Sequence, residues 1–187
     1  MRKISSKVKE KKKKQRNQLL VGGILIFVML FSTIGYAFQG QDSTRKKITY
    51  NGEEFVNDGG YWQLEKDEIE FIFRTNPKET ILIEEDLRRI ENYYSQPLYL
   101  SSTNLIANSQ IYANLNQLVT RMQFACVENS PCEGDLPVKN CDSNFIIITE
   151  SNKSGVSQND GCVYIQGSQE EIPKLIDSFI LKILGIN

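Results

Sequence analysis

The 187-residue sequence contains no histidine. Histidine is the side chain that most often serves as a general base near neutral pH and as a metal ligand. Its absence excludes a Ser-His-Asp or Cys-His catalytic set, and a histidine-ligated metal site, built from this chain alone. The sequence also has no glycine-rich phosphate loop, no Gly-x-Ser-x-Gly motif and no Cys-x-x-Cys motif. We therefore predict that the protein is not an enzyme, and we expect no catalytic residue and no cofactor.

Charge is missing from one long stretch and is divided unevenly around it. Residues 19–38 carry no charged side chain. The 18 residues before this stretch hold nine basic residues and one acid, net +8. The residues after it hold 13 basic and 22 acidic residues, net −9, so the formal charge of −1 hides a strong asymmetry. The two ends of the chain therefore suit different surroundings.

The uncharged stretch predicts a transmembrane helix over residues 19–38. At about 1.5 Å per residue, a helix of this length spans a hydrocarbon layer of roughly 30 Å. The excess of basic residues before it predicts a cytoplasmic N-terminus and an extracytoplasmic remainder. A cleaved secretory signal is the alternative, since Gly35 and Ala37 are placed like the small residues of a cleavage site. A prepilin-type leader is disfavoured, because Arg16 to Leu19 lacks the expected glycine or alanine.

We accordingly divide the chain into a basic cytoplasmic tail (1–18), a transmembrane helix (19–38), a polar linker (39–46) and one exported domain (47–187). The predicted partners are the lipid bilayer, through residues 19–38, and anionic headgroups, through the basic tail. The tail has no aromatic side chain to stack on bases, and residues 39–187, with a net charge of −9, repel phosphate, so we expect no nucleic-acid binding.

The exported segment begins with a pattern typical of an antiparallel β-meander. The turn sequences Asn51-Gly52 and Asn57-Asp58-Gly59-Gly60 separate short apolar runs, and Glu68 to Arg74 alternates apolar and polar residues. Further strands are predicted over residues 97–100, 144–149, 156–158 and 162–166.

Helical spacing of apolar residues follows the meander. It occurs from Ile83 to Tyr94. A longer helix, capped by Ser102, Thr103 or Asn104, has an apolar face that runs from Ile111 to Ala125, and a capping box at Ser168 to Glu171 begins a final helix. We therefore predict a fold of the α+β or α/β class, with three helices packed on sheet.

Several short motifs are spread along the exported segment. They are Tyr50-Asn51-Gly52 with Phe55, Gly60 and Trp62, then Leu136-Pro137-Val138-Lys139-Asn140-Cys141, Gly161-Cys162-Val163 and Lys182-Ile183-Leu184-Gly185-Ile186. With these motifs the chain resembles small single-pass membrane-anchored archaeal proteins of unassigned function with a four-cysteine exported domain. The resemblance implies an anchor followed by an exported domain, and it implies no activity, ligand or catalytic residue.

All four cysteines, Cys126, Cys132, Cys141 and Cys162, lie in the predicted exported segment. An even set outside the cell predicts two disulfides. Zinc is the alternative, but the intervening lengths of 5, 8 and 20 residues lack the close pairs of structural zinc sites. We favour Cys126 with Cys132 and Cys141 with Cys162. The pairing of Cys132 with Cys141 and of Cys126 with Cys162 stays open.

Other polar or aromatic groups are weaker candidates for a site. Consecutive acids at Glu84-Glu85-Asp86 favour the start of a helix and solvation more than acid–base chemistry. The loop acids match no known calcium loop by spacing; they are Glu133, Asp135, Asp142 and Asp160. An aromatic glycan- or peptide-binding surface is conceivable, but strand and helix aromatics more often fill the core; these are Tyr61-Trp62, Tyr93-Tyr94 and Tyr99.

These features favour a membrane-anchored extracytoplasmic binding or scaffold domain at the cell membrane. The alternatives are a subunit of a membrane or cell-envelope assembly, and a histidine-independent enzyme that uses carboxylates, serine or tyrosine. Asn152-Lys153-Ser154 is an exported glycosylation sequon under either placement. We also expect a chain starting near Gln41 to fold without its anchor, because its strand and helix faces supply an apolar core.

Overall fold

The computed structural model describes residues 16–31, 45–132 and 134–187. The chain divides into two compact units, Met1–Arg45 and Lys46–Asn187. In the first unit the structure describes one helix, α1, over residues 16–31. The second unit contains all of the β-structure of the described residues.

The predicted transmembrane helix begins in α1 and ends outside the described residues. Residues 19–31 are helical, whereas residues 32–38, most of the basic tail and most of the linker lie outside. The large apolar side chains of α1, from Leu19 to Phe31, are exposed. Within the part of the chain that the structure describes, no helix is both long enough and apolar enough to span a membrane.

Four antiparallel strands form the first sheet, which confirms the predicted meander. They are β1 (Lys47–Tyr50), β2 (Glu53–Asp58), β3 (Tyr61–Lys66) and β4 (Ile69–Phe73), adjacent in chain order. Asn51 and Gly52 take positive φ values of 46° and 88°, as a tight hairpin turn requires. Alternation along the strands places one row of side chains in the core: Phe55, Trp62, Leu64, Phe71 and Phe73.

A second, mixed sheet of five strands follows. Its strands are β5 (Pro97–Ser101), β6 (Arg121–Phe124), β9 (Asn144–Glu150), β10 (Gly155–Asn159) and β11 (Cys162–Gly167). The order is β10-β11-β9-β5-β6, and every neighbouring pair is parallel except β10 with β11. A separate parallel ribbon joins β7 (Cys126–Val127) to β8 (Val138–Lys139). The fold is therefore α+β.

Two helices of the second unit, α2 (Leu105–Leu115) and α3 (Ile172–Ile183), complete this fold. With α1 they make three α-helices in the described residues. Helix α2 contacts α3 and β4, and α3 contacts β10 and β11. Together they join the apolar face of the meander to one face of the mixed sheet in a single core.

The predicted helix from Ile83 to Tyr94 is wrong. This segment is extended and contains only a 3-10 turn at Ile90–Asn92. Its backbone binds side chains of other elements, since Lys182 Nζ of α3 donates to the Ile83 carbonyl at 2.7 Å and Gln158 Oε1 of β10 accepts from the Arg88 N–H at 2.9 Å. These tertiary partners replace part of the hydrogen bonding that a helix would supply.

The predicted helix between residues 104 and 125 starts as expected, with Asn104 as its cap, but it is too long. Helix α2 ends at Leu115, and Met122 lies on β6. The turn between them is held by the chain before β5, because the Ser95 N–H donates to the Leu118 carbonyl at 2.9 Å. This hydrogen bond holds the turn beside the start of β5, and the chain continues as β6, parallel to β5.

Only one of the two hydrogen bonds of the predicted capping box before α3 forms. The Ser168 N–H donates to Glu171 Oε2 at 3.2 Å, but the Glu171 N–H donates to the Ser168 carbonyl and not to the side chain. Hydrogen bonds from Ser168 hold the pKa of Glu171 below its usual value. The helix consequently begins at Ile172, beyond the predicted cap.

A buried carboxylate joins the helices to the end of the meander. Asp177 of α3 is fully buried and accepts from the backbone N–H groups of Arg74, at 3.0 Å, and Thr75, at 2.7 Å. It also accepts from Gln110 Nε2 of α2. Burial raises the pKa of Asp177 from 3.8 to about 6, although these hydrogen bonds oppose the rise.

An amide on α2 closes the edge of the meander in the same way. Asn114 Oδ1 accepts from the Ile72 N–H at 2.7 Å, and Asn114 Nδ2 donates to the Ile72 carbonyl at 2.9 Å. This side chain makes the paired bonds that a fifth strand would make beside β4. The edge is thereby covered and withheld from other chains.

We predict that Asp177→Ala destabilises residues 41–187 by about 3 kcal/mol, because two buried N–H groups lose their acceptor. Asp177→Asn keeps an acceptor and is expected to lose less. The folded-state pKa of about 6 exceeds the unfolded value of 3.8. The stability that Asp177 contributes is therefore complete below about pH 4 and falls by roughly 3 kcal/mol as the pH rises through 6.

Urea unfolding at pH 4, 5, 6 and 7 measures this difference. The free energy of unfolding of the wild type, relative to Asp177→Asn, should fall across that range. A constant difference between the two proteins at all four pH values would contradict the assignment.

Candidate functional site

The two faces of the mixed sheet differ in what covers them. One face packs on the helices, and the other carries Tyr99, Phe145, Ile147 and Cys162 under the segment of residues 125–141. We call this segment the ribbon segment. Its regular structure is limited to the two-residue strands β7 and β8. Other bonds must therefore hold it in place.

Two disulfides hold the ribbon segment. They join Cys126 to Cys132 and Cys141 to Cys162, with Cα–Cα distances of 5.5 and 4.9 Å. This is the pairing favoured from the sequence, and no cysteine is left as a free thiol for zinc. Because β11 runs parallel to β9, Cys162 lies beside Phe145 at the start of β9 and within reach of Cys141. An antiparallel pairing of the two strands would have placed it beside Thr149.

A cleft opens where the parallel strands end. The chain leaves β5 toward β6 on one side and leaves β9 toward β10 and β11 on the other side, so the connections diverge at this edge. The cleft measures about 570 Å³. Its polar wall is formed by Ser101 to Asn104 and by Thr149 with Glu150, and its apolar wall by Phe124, Ala125, Pro131, Leu136, Ile148 and Ile172. Cys126 lines the cleft too, so one disulfide supports a wall.

The start of α2 fixes the polar wall. Asn104 Oδ1 accepts from the Ala107 N–H at 3.0 Å and caps the helix. Ser102 Oγ accepts from the Asn104 N–H at 3.1 Å. The Thr149 hydroxyl accepts from Gln166 Nε2 at 3.4 Å, and the Glu150 carboxylate is exposed. These groups offer hydrogen bonds and the negative charge of Glu150 to a ligand, and no basic residue is among the described residues that line the cleft.

The aromatic and acidic residues that the sequence offered as candidates do not form one site. Trp62, Tyr93 and Tyr99 are buried, whereas Tyr61 is 42% exposed. The Arg74 guanidinium lies 5.5 Å from the centroid of the Tyr61 ring. The acids at residues 84–86 are exposed along the extended segment. Asp135, Asp142 and Asp160 are also exposed, and Glu133 lies outside the described residues. Within those residues, no group of three or more acids or cysteines is arranged to hold a metal ion.

Sequence reasoning missed the cleft. The signal was present, since Ser101 to Asn104 is a polar run between a strand and a helix. This polar run lines a cleft only because β6 is a strand parallel to β5, whereas the sequence predicted a helix at β6.

No known protein family, curated protein or solved structure matches the chain significantly.

We predict that both disulfides stabilise the domain and that the disulfide that closes the longer loop contributes more. Closing the loop from Cys141 to Cys162, a separation of 21 residues, should contribute about 3 kcal/mol, and the loop from Cys126 to Cys132 about 2 kcal/mol. Urea unfolding of the two double-alanine variants of residues 41–187 measures both values. Peptide mapping without reductant provides the control, and four free thiols there would contradict the pairing.

We predict that Gly161→Ala destabilises the same domain by about 2 kcal/mol. An added Cβ would overlap the carbonyl oxygens of Cys141 and Ser143, which are backbone atoms held by the disulfide. Gly155→Ala, in the same hairpin, is the matched control because nothing lies within 4 Å of its added Cβ. Equal unfolding midpoints for the two variants would show that the close approach at residue 161 is not a constraint.

Proposed function

We propose that this protein is an extracytoplasmic binding domain, held at the cell membrane by its N-terminal segment, whose ligand occupies the cleft. The observation that carries the proposal is a cleft with a wall built on a disulfide. A disulfide-supported wall suits an oxidising compartment, and a preformed concave surface with hydrogen-bonding groups suits ligand binding.

The placement at the membrane draws support from three further observations. Residues 19–38 carry no charge, and the residues before them are strongly basic. The large apolar side chains of α1 are exposed, as those of a helix surrounded by lipid would be. The resemblance to membrane-anchored archaeal proteins agrees with this placement and remains a prediction.

The lining of the cleft defines the class of ligand. Hydroxyl, amide and backbone groups line one wall, apolar side chains line the other, and Glu150 is the charged residue among the described residues of the lining. A ligand with hydrogen-bonding groups and an apolar face, either uncharged or cationic, complements this surface. Neutral oligosaccharides and uncharged or cationic peptides meet these requirements, whereas an anion would face Glu150 without a basic partner.

A second candidate function, a subunit of a membrane or cell-envelope assembly, is favoured by one observation. Strand β6 is an edge of the mixed sheet, so the backbone groups on its outer side are unpaired with any strand of the described residues. Phe124 on this strand and Tyr112 on α2 are 45% and 57% exposed. An added strand from a partner would pair with this edge and cover both side chains.

We predict that a ligand of the stated class binds the full chain and loses affinity on Thr103→Trp. Thr103 is exposed in the cleft, so an indole there should fill it and weaken binding about tenfold or more. Thr120→Trp is the matched control, since Thr120 is exposed at the opposite end of the parallel strands. Thermal shift of the detergent-solubilised chain, against a panel of neutral oligosaccharides and of uncharged and cationic peptides, measures binding.

If no member of the panel binds, or if Thr103→Trp leaves binding unchanged, the cleft is not the ligand site and the assembly function is favoured.

Protease added to intact cells tests the placement at the membrane separately. It should trim the domain and leave a small membrane-held N-terminal fragment. Protection of the full chain, or a mature protein that begins near Phe38, would overturn the anchor.

A further inference from the structure

A buried tyrosine on the ribbon-covered face of the mixed sheet contacts two cations. Tyr99 of β5 is 2% exposed, and its ring packs edge-on against Phe145 with centroids 6.2 Å apart. Its hydroxyl accepts a hydrogen bond from Arg121 Nη2 at 2.8 Å. The Lys139 Nζ lies 4.9 Å from the same ring centroid. One phenol therefore contacts both a guanidinium and an ammonium group.

The fold brings these three residues together from separate elements. In the parallel register Tyr99 lies beside Gln123 and Pro97 beside Arg121, so Tyr99 and Arg121 share one face of the sheet. Lys139 arrives from β8, whose position depends on pairing with β7 and on the two disulfides. The juxtaposition is thus a product of the tertiary structure and leaves no motif in the sequence.

Among the described residues the two cations lack a negative partner. No carboxylate of these residues forms an ion pair with either cation within 4.0 Å, whereas Lys47 pairs with Glu54 and Lys66 with Glu53. The Glu128 N–H donates to the Lys139 carbonyl, and Asp142 accepts from Asn140. Two like charges that contact one phenol repel each other, and a bound anion would offset this repulsion.

The accessibility of the pair suits a ligand. Arg121 is exposed and Lys139 is half-buried, so both charged groups are accessible from solvent while Tyr99 lies beneath them. The hydrogen bond to Tyr99 uses one Arg121 donor, which leaves other guanidinium N–H groups for an oxyanion. Arg121 and Lys139 also form a positively charged pair within residues 39–187, whose net charge is −9.

We infer that Arg121 and Lys139 form a binding site for one oxyanion group (carboxylate, sulfate or phosphate) of a soluble ligand, with Tyr99 as the positioning residue. The guanidinium fork binds two oxygens, and the ammonium group binds the remaining face. This site is separate from the cleft, whose described lining includes neither Arg121 nor Lys139, and it stands whether or not the cleft binds a ligand.

The test uses the full chain in the uncharged detergent dodecyl maltoside. Sodium sulfate, phosphate and acetate are titrated separately against chloride at constant ionic strength, so that screening stays fixed. At least one of the three should raise the melting temperature with saturation. Arg121→Gln and Lys139→Gln should each weaken that anion's affinity about tenfold or more. Lys153→Gln, at an exposed lysine in another loop, should leave it unchanged.

A second readout separates a binding site from a structural role. The hydrogen bond from Arg121 and the charge of Lys139 lower the pKa of Tyr99. A bound anion offsets both charges, so the tyrosinate absorbance of the wild type, minus that of Tyr99→Phe, should titrate at higher pH in the saturating anion. Lys139→Arg should retain binding. Absence of saturation for all three anions, or equal affinities for Lys139→Gln and Lys153→Gln, would overturn the site.

Discussion

The buried carboxylate of Asp177 is the interaction on which the arrangement of this domain depends. It accepts from two backbone N–H groups where the chain leaves the meander, at Arg74 and Thr75, and from Gln110 on the neighbouring helix. Burial of this charge is costly, as its raised pKa indicates. The three donors together offset part of this cost, and losing any of them would raise it, so the network favours a single packing of meander, α2 and α3.

Local turn chemistry made much of the domain predictable. Asn51-Gly52 requires positive φ and defines the first hairpin, and the strands from 144 to 166 follow from β-branched residues around Asp160-Gly161. The failures lie where tertiary contacts replace local hydrogen bonds. The segment from Ile83 to Tyr94 has helical spacing, yet its backbone binds side chains of α3 and β10. Such partners, distant in sequence, leave no signal in its own residues.

Strand order was the missing information for both sites. The favoured cysteine pairing required Cys162 to lie at the start of β9, which holds only for the parallel register. The cleft required β5 to lie between β6 and β9, and the pair of Arg121 and Lys139 required β6 beside β5. Periodicity reports which residues of one strand share a face, but it does not report which strands are neighbours.

The fold and its proposed sites are held by different kinds of bond. The apolar core and the Asp177 network stabilise meander, helices and sheet, whereas the ribbon segment adds few buried apolar side chains. That segment nevertheless supplies a wall of the cleft at Cys126 and one cation of the oxyanion site at Lys139. With so little core of its own, the segment depends on its two disulfides for position. Both proposed binding surfaces therefore need an oxidising environment, and the fold beneath them depends on it less.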